Sequence, residues 1–168
     1  MDSFYTLKLD SYSLTRIIPV INRTNERQMI PMAEYIKNIS IKDFTQLKVW
    51  QKSFELTSEI YKITATFPQF ETYAMKSQII RSVSSIAANI AEGNGQLYKK
   101  KEINFYNNAL GSATETKSWL LIALDQNYIT QEQFNNLDAK LTEIIKMLIG
   151  CIKRVQSDMK NIELDTNH

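Results

Sequence analysis

The chain has 168 residues, of which 43% are apolar and 23% charged, and its 20 Lys and Arg against 18 Asp and Glu give a net charge of +2. This balance is too even for a polybasic protein and too apolar for a disordered one, and the length fits one globular domain. The three prolines are at positions 19, 31 and 68, so the last hundred residues contain none. Their absence there favours long helices over a turn-rich β fold.

Composition also argues against several kinds of catalytic and metal site. The one histidine is His168, so a histidine base, a histidine metal site and a Ser-His-Asp triad are not expected. The one cysteine, Cys151, leaves no partner for an intramolecular disulfide and no cysteine zinc site. With no signal peptide and no apolar run near eighteen residues, we expect a cytoplasmic protein with no membrane association. We also expect no cofactor and no small-molecule substrate.

Residues 1–43 differ from the rest of the chain. They carry two of the three prolines and show no sustained hydrophobic period, and the apolar stretch at 14–21 is interrupted by Pro19. We therefore predict an N-terminal arm of uncertain structure. Met29 and Met32 lie just before the periodic region, so either is a candidate start.

The first two predicted helices span about 44–66 and 73–92 and are separated by Phe67-Pro68. Thr72 is the predicted N-cap of the second helix, and Gly93 is predicted to end it at the C′ position, where a positive φ favours glycine. Apolar and uncharged side chains recur on the first helix at three- and four-residue steps: Leu47, Trp50, Phe54, Thr57, Tyr61 and Thr64. The corresponding core stripe of the second helix is Met75, Ile79, Val83, Ile86 and Ile90.

The third and fourth predicted helices span about 98–126 and 130–156, and a polar tail follows at 158–168. Thr130 and Gln133 form a T-x-x-Q capping box at the start of the fourth helix. Four amphipathic helices with short connections predict an all-α fold, an up-down-up-down antiparallel four-helix bundle over 44–157. The predicted stripes are Ile103, Tyr106, Ala109 or Leu110, Ala113, Leu120 and Leu124, then Phe134, Leu137, Leu141, Ile144, Leu148, Cys151, Ile152 and Val155.

The second helix has no charge from 82 to 91, whereas a surface helix normally has a charged face. The side away from its core stripe carries Ile80, Ala87 and Ala91. Because a four-helix bundle has no central position that would bury these residues, a second subunit is the natural cover. We therefore predict a homo-oligomer with these three residues in its interface.

A polar stripe runs beside that core stripe and admits two interpretations. It can be structural, with its side chains bonded to one another or to Ser112 and Glu115 of the third helix. It can also be a catalytic carboxylate site using Glu92 and Glu115, although no metal-ligand spacing or base supports this. We favour the structural interpretation and expect no enzyme activity, and we interpret Gly111 as a packing position. The stripe consists of Gln78, Arg81, Ser85, Asn89 and Glu92.

Three consecutive lysines, Lys99, Lys100 and Lys101, begin the third helix, where positive charge opposes the helix dipole. A phosphate backbone would compensate them, because lysines and free backbone N–H groups at one point form an anion site. The alternative is a solvated lysine run with no ligand. We predict nucleic-acid binding by this run.

Several segments together resemble a known family. They are LKVWQKS (47–53), FPQFE (67–71), QIIRSVSSIAANIAEGNG (78–95) and ALGSATE (109–115). The stretch from Phe44 to Val155 is similar to the four-helix bundle proteins encoded in intervening sequences of bacterial large-subunit (23S) ribosomal RNA genes. Its motif positions here are Gln78, Arg81, Ser85, Asn89, Glu92, Gly93, Gly95, Gly111, Ser112 and Glu115.

The resemblance implies a homopentameric ring and a link to nucleic acid, and it supplies no catalytic residues. A more distant similarity is to the accessory protein of diversity-generating retroelements, which binds a reverse transcriptase and RNA. We therefore expect a non-enzymatic, homo-oligomeric bundle that binds RNA or DNA through repeated basic patches. The alternative is a protein-interaction scaffold, for example an accessory subunit of a reverse transcriptase.

Overall fold

The computed structural model describes residues 17–21, 27–31 and 43–165, with side chains described over 43–160. The chain divides into two compact units. The first comprises Met1–Asp43 and Asp158–His168, and the second, which we call the helical unit, is Phe44–Ser157.

A β-hairpin lies in the segment predicted as an arm. Strand β1 (Ile17–Ile21) pairs antiparallel with β2 (Arg27–Pro31), with Pro19 opposite Met29. Four of the five residues of β1 are β-branched, which favours an extended backbone. Pro19 lacks an N–H and is tolerated because a two-stranded sheet has only edge strands. This hairpin was not predicted from the sequence.

Four helices form the rest of the described part of the chain, which confirms the all-α prediction for the helical unit. The fourth helix extends well beyond its predicted end near 156, because residues 157–165 contain neither Gly nor Pro to stop it. The helices are α1 (Lys48–Thr64), α2 (Met75–Asn94), α3 (Lys99–Asp125) and α4 (Gln131–Asp165), with short 3₁₀ turns at Phe44–Gln46 and Gln69–Tyr73.

One hydrophobic core lies between the four helices. The stripe predicted for α2 is buried throughout, and those of α3 and α4 are buried or packed against the core. Ion pairs join α4 to both of its neighbours. From α1, Lys52 pairs with Glu143 at 2.8 Å and Glu59 pairs with Lys140. From α3, Lys117 pairs with Asp138 at 2.7 Å.

The face that α1 buries differs from its predicted stripe. The predicted aromatic residues Phe54 and Tyr61 are 55% and 51% exposed. The buried face includes Thr64, as predicted, and also Ser53, which was not in the predicted stripe; both hydroxyls bond to the carbonyl oxygens four residues earlier at 2.8 Å. These bonds satisfy the hydroxyls internally and so permit their burial. The complete buried face is Val49, Ser53, Leu56, Ile60 and Thr64.

At one end of the bundle, where α2 and α4 begin, side chains cap both helix starts, and we call this the capped end. The N-cap of α2 is Ala74, so the predicted cap Thr72 is wrong, and the Glu71 carboxylate accepts from the Met75 N–H at 3.0 Å. The capping box of α4 is confirmed: the Gln133 N–H donates to the Thr130 hydroxyl at 3.2 Å, and the Thr130 N–H donates to the Gln133 side chain at 2.8 Å.

The other end holds the starts of α1 and α3. Lys48, Met147 and Arg154 line one cavity, so the start of α1 lies beside the later part of α4. There α2 closes against α3, because a Cβ on Gly93 would lie 3.0 Å from the Tyr106 ring.

Candidate nucleic-acid interface

The polar stripe of α2 meets α3 through a set of hydrogen bonds. The Arg81 guanidinium donates to the Gln78 side-chain oxygen at 2.8 Å and pairs with a Glu115 carboxylate oxygen at 3.0 Å. The Trp119 indole N–H donates to the same Glu115 oxygen at 3.4 Å. These contacts use the polar groups of one helix to satisfy those of the next.

Smaller polar side chains continue the same contact. The Ser112 hydroxyl donates to the Ser85 hydroxyl at 3.0 Å, and the Asn89 amide donates to the Ser85 carbonyl and hydroxyl at 2.8 and 3.0 Å. Nearer the core, the Thr116 hydroxyl donates to the Ser82 hydroxyl at 3.0 Å. The bond between Ser85 and Ser112 therefore joins α2 to α3.

The two carboxylates considered for catalysis lie far apart. Glu115 is level with Arg81, and Glu92 comes eleven residues later on α2. At a rise of 1.5 Å per residue this separates Glu92 from Glu115 by about 16 Å along the helix. The structure therefore does not bring them together as a pair.

The glycines of the motif occupy three different environments. Gly93 is helical, contrary to the predicted positive φ, and a Cβ there would meet Tyr106 at 3.0 Å and Phe105 at 3.2 Å. Gly95 is the C-cap of α2 with φ −78°. Gly111 has no atom of the described residues within 4 Å of a Cβ position, so no close approach among them explains it as a packing position.

The three lysines at the start of α3 are all exposed. Lys99 pairs with the Glu102 carboxylate at 2.9 Å, and the Lys101 ammonium lies 5.7 Å from the centroid of the Tyr98 ring. Lys100 has no ion pair with the side chains described here. The run therefore presents its charge to solvent, with two of its members held in place by neighbours.

A buried acid lies directly beneath the lysine run. Glu102 is only 7% exposed and accepts a hydrogen bond from the Tyr106 hydroxyl at 3.2 Å. Burial, and then the Glu102 carboxylate, raise the pKa of the Tyr106 hydroxyl far above its usual value. Burial also raises the pKa of the nearby Cys151 thiol, so this cysteine is not an activated nucleophile.

Further cations join the lysine run at the same end of the bundle. Arg154 acts electrostatically on Tyr106 and Cys151 and shares a cavity of about 290 Å³ with Lys48. The sequence alone does not connect Lys48, Lys153 and Arg154 with the lysine run, because only the tertiary fold brings these helix ends together. We call this the basic end; its exposed cations are Lys48, Lys99, Lys100, Lys101, Lys153 and Arg154.

Helix geometry adds to the positive potential of the basic end. The N-cap residues of α1 and α3 are Leu47 and Tyr98, and neither makes a side-chain capping bond. Each helix start therefore presents uncapped N–H groups and the positive pole of its dipole, next to lysines of its own first turn. This combination suits a phosphate.

The predicted interface residues Ile80, Ala87 and Ala91 are half-buried within the single chain. Ala88 beside them is exposed, and no charged residue occurs from 82 to 91. Thr57 of α1 lies against α2, with its hydroxyl 3.4 Å from the Val83 carbonyl oxygen.

Two searches of the described residues bear on other kinds of site. Across 17–21, 27–31 and 43–165, no group of three or more His, Cys, Asp or Glu side chains is arranged to hold a metal ion. None of the helices in this part of the chain is both long and apolar enough to cross a membrane.

Comparison with known proteins gives the family. The model of the 23S rRNA-intervening sequence protein family matches residues 45–150. A crystal structure of a protein of unknown function from the S23 ribosomal protein family of Bacteroides thetaiotaomicron is 37% identical, with a TM-score of 0.59, over 62% of this chain and 98% of that one. No curated protein was found to match. The chain therefore belongs to the 23S rRNA-intervening sequence protein family.

Proposed function

We propose that this protein is a non-enzymatic, homo-oligomeric bundle, with five copies, that binds RNA through the basic end of each copy. The observation that carries the proposal is the coincidence of two uncapped helix starts with six exposed cations. Lysines in the first turn of a helix cost stability, and a bound phosphate would recover that cost. The family description, which refers to 23S rRNA, supports RNA as the polyanion.

Acidic residues do little to neutralise the basic end. Glu102 is buried and already paired with Lys99, so it faces the core rather than solvent. Glu92 is a second acid, exposed near the end of α2, so with Glu102 it leaves the six cations in excess. A net positive surface of this kind attracts nucleic acid with an affinity that falls steeply as salt is added.

An apolar outer face on α1 and α2 supports the homo-oligomer. Thr57 faces α2, and Phe54 and Tyr61, three residues before it and four after it, lie on the same side of α1. Next to them, α2 presents the uncharged residues Ile80 and Ala87. Large exposed aromatic side chains beside a charge-free helix are typical of a surface that a second copy covers.

Oligomerisation also matters for binding. One lysine run makes a weak site, but five copies held in a ring present the basic end five times to one RNA. Linked weak sites raise the overall affinity far above that of a single site. We therefore expect dissociation of the oligomer to weaken RNA binding even with every lysine intact.

The oligomer is tested by mass measurement in solution. We expect the native protein to have five times the 19.5 kDa mass of one chain, and Ala87→Glu to dissociate it by placing a charge in the interface. Ala139→Glu, which puts the same charge on an exposed position of α4, is the matched control and should stay assembled. A native protein of single-chain mass would contradict the proposal.

RNA binding is tested by fluorescence anisotropy at several salt concentrations. A variant with Lys99→Gln, Lys100→Gln and Lys101→Gln should bind RNA more weakly. The slope of its log affinity against log salt concentration should be smaller in magnitude by about 2 for each chain that contacts the RNA. Glutamine removes the three charges and keeps a polar side chain at each position. An unchanged affinity and slope would refute the role of the lysine run.

A protein-interaction scaffold is the second candidate, and one observation favours it. Near the capped end, Phe70 and Tyr73 are 74% and 94% exposed, which is unusual for large apolar side chains. An accessory subunit, for example of a reverse transcriptase, would use such a surface. Recovery of a stoichiometric protein partner that Phe70→Ser and Tyr73→Ser abolish, without any RNA binding, would support this candidate.

A further inference from the structure

An open cavity of about 410 Å³ lies between the α2–α3 connection and the first turns of α3. Its volume is in the range of small-ligand sites. The residues from α3 recur at intervals of three or four, so they share one helix face, and Gln96 closes the cavity from the connection. The lining consists of Gln96, Lys101, Asn104, Phe105 and Asn108.

Two amide side chains in this cavity make no hydrogen bond to any side chain or backbone group that the structure describes, namely those of Asn104 and Asn108. The Asn108 backbone carbonyl oxygen lies 3.0 Å from the Ser112 hydroxyl, and the Asn108 side-chain amide takes no part in that contact. Asparagine is a poor residue for the interior of a helix. These amides therefore lower the stability of α3 without a compensating bond inside the chain, and each keeps a donor and an acceptor for a ligand.

The aromatic and cationic members of the lining are held in position. Phe105 is half-buried, with its Cβ 3.2 Å from the Cβ position at Gly93, so α2 fixes the base of this side chain. Lys101 lies over the Tyr98 ring at 5.7 Å, which holds its ammonium group at the rim. An apolar wall, two free amides and a cation thus lie within one cavity.

We propose that this cavity binds one unpaired nucleotide of an RNA strand, an inference that rests on the proposed function. The base would lie against Phe105, its edge would bond to the amides of Asn104 and Asn108, and its phosphate would lie near Lys101. Aromatic side chains hold unpaired bases by stacking, and paired amide groups read base edges. A base within a duplex offers neither its face nor its pairing edge, so the cavity selects single-stranded RNA.

The test compares labelled single-stranded RNA homopolymers with an RNA duplex of equal length, using the full chain. The wild-type protein should bind one homopolymer at least about fivefold more tightly than the others, and more tightly than the duplex. Asn104→Ala with Asn108→Ala should remove the base preference while the salt dependence stays unchanged. Phe105→Leu, which keeps the apolar packing and removes the aromatic ring, should weaken binding of the preferred strand by at least fivefold.

Asn107→Ala with Asn136→Ala is the matched control, because both asparagines are exposed on helices and neither lines the cavity. This control should keep the base preference. Equal binding of single strands and duplex, unaffected by the change at 104 and 108, would overturn the inference and leave the proposed function intact. No binding of any RNA by the wild-type protein, even at low salt, would overturn both.

Discussion

The two ends of the helical unit differ in how their helix starts are satisfied. At the capped end, the Glu71 carboxylate bonds to the start of α2, and Thr130 and Gln133 bond reciprocally at the start of α4. At the basic end, Leu47 and Tyr98 provide no capping bond, and lysines occupy the first turns. One chain thus uses favourable helix chemistry at one end and unfavourable helix chemistry at the other.

This difference separates structural from functional features. Near the capped end, Phe67 packs against Tyr128, whose hydroxyl donates to Glu71 at 3.1 Å, so side chains there serve the fold. The basic end leaves its helix-start N–H groups without side-chain caps and exposes six cations, of which Lys99 pairs with Glu102. An anion site needs uncapped N–H groups and nearby cations, and we interpret the stability lost at the basic end as a consequence of keeping them.

The largest expected effect concerns the packing that supports the basic end. Gly93→Val would place atoms against Tyr106 and Phe105, where a Cβ alone already lies at 3.0 and 3.2 Å, and should cost about 3 kcal/mol of unfolding free energy. Gly95→Ala, with its nearest atom at 3.5 Å and φ −78°, is the control and should be close to neutral. Urea denaturation measures both, and equal stabilities would contradict the close helix contact.

A smaller effect is expected from Tyr106→Phe, which removes the hydrogen bond to the buried Glu102. We expect a loss of about 1.5–3 kcal/mol at neutral pH, the usual contribution of a hydrogen bond to a charged group. The measurement is urea denaturation at pH 8.

The same variant gives a pH test. Because the fold raises the pKa of the Tyr106 hydroxyl, it favours the neutral phenol. That contribution to stability is fully present below the usual tyrosine pKa of about 10 and is lost as the pH rises from there towards the raised folded value. The wild-type protein should therefore lose its advantage over Tyr106→Phe between pH 10 and 12. A constant difference over that interval would contradict the assigned burial.

Changes to helix caps test the comparison of the two ends directly. Thr130→Ala at the capped end should destabilise the protein by about 1 kcal/mol, because it removes the bond to the Gln133 N–H. Tyr98→Ser at the basic end should instead stabilise it by about 0.5 kcal/mol, since it adds a missing cap. Thermal unfolding would show opposite shifts in Tm; shifts of the same sign would mean that the ends do not differ as described.

The smallest effect is expected from one charge. Lys100→Glu replaces a cation with an anion in the first turn of α3 and should raise stability by about 0.3–1 kcal/mol. The same change should weaken RNA binding, so that stability and binding move in opposite directions. Denaturation and anisotropy on one preparation measure the two effects, and a loss of stability would contradict the dipole argument.

Much of the fold could be predicted from the sequence, because hydrophobic periodicity reports which helix faces are buried. The errors arose where two stripes compete or where a tertiary contact decides. On α1, the buried face is not the one with the larger aromatic residues but one that contains Ser53, whose hydroxyl bonds to a carbonyl oxygen of its own helix. At Gly93, the space left by Tyr106 decides, and no local pattern reports it.

The candidate site was predicted less completely. The lysine run at the start of α3 could be read directly, since consecutive charges need no tertiary information. The addition of Lys48 and Arg154 to it depends on which helix termini meet. The amides of Asn104 and Asn108 carry no sequence signal beyond their poor helix propensity, and their position in a cavity became visible only in the structure.

The central claim is that the basic end, and not the positive charge of the whole chain, binds RNA. The most direct test compares two double variants of equal net charge. The first carries Lys100→Glu and Lys153→Glu at the basic end. The second carries Lys62→Glu in the last turn of α1 and Lys76→Glu in the first turn of α2, near the capped end. Anisotropy with one RNA over a range of salt concentrations should show weaker binding and a shallower salt dependence only for the first pair. Equal losses for the two pairs would contradict the account.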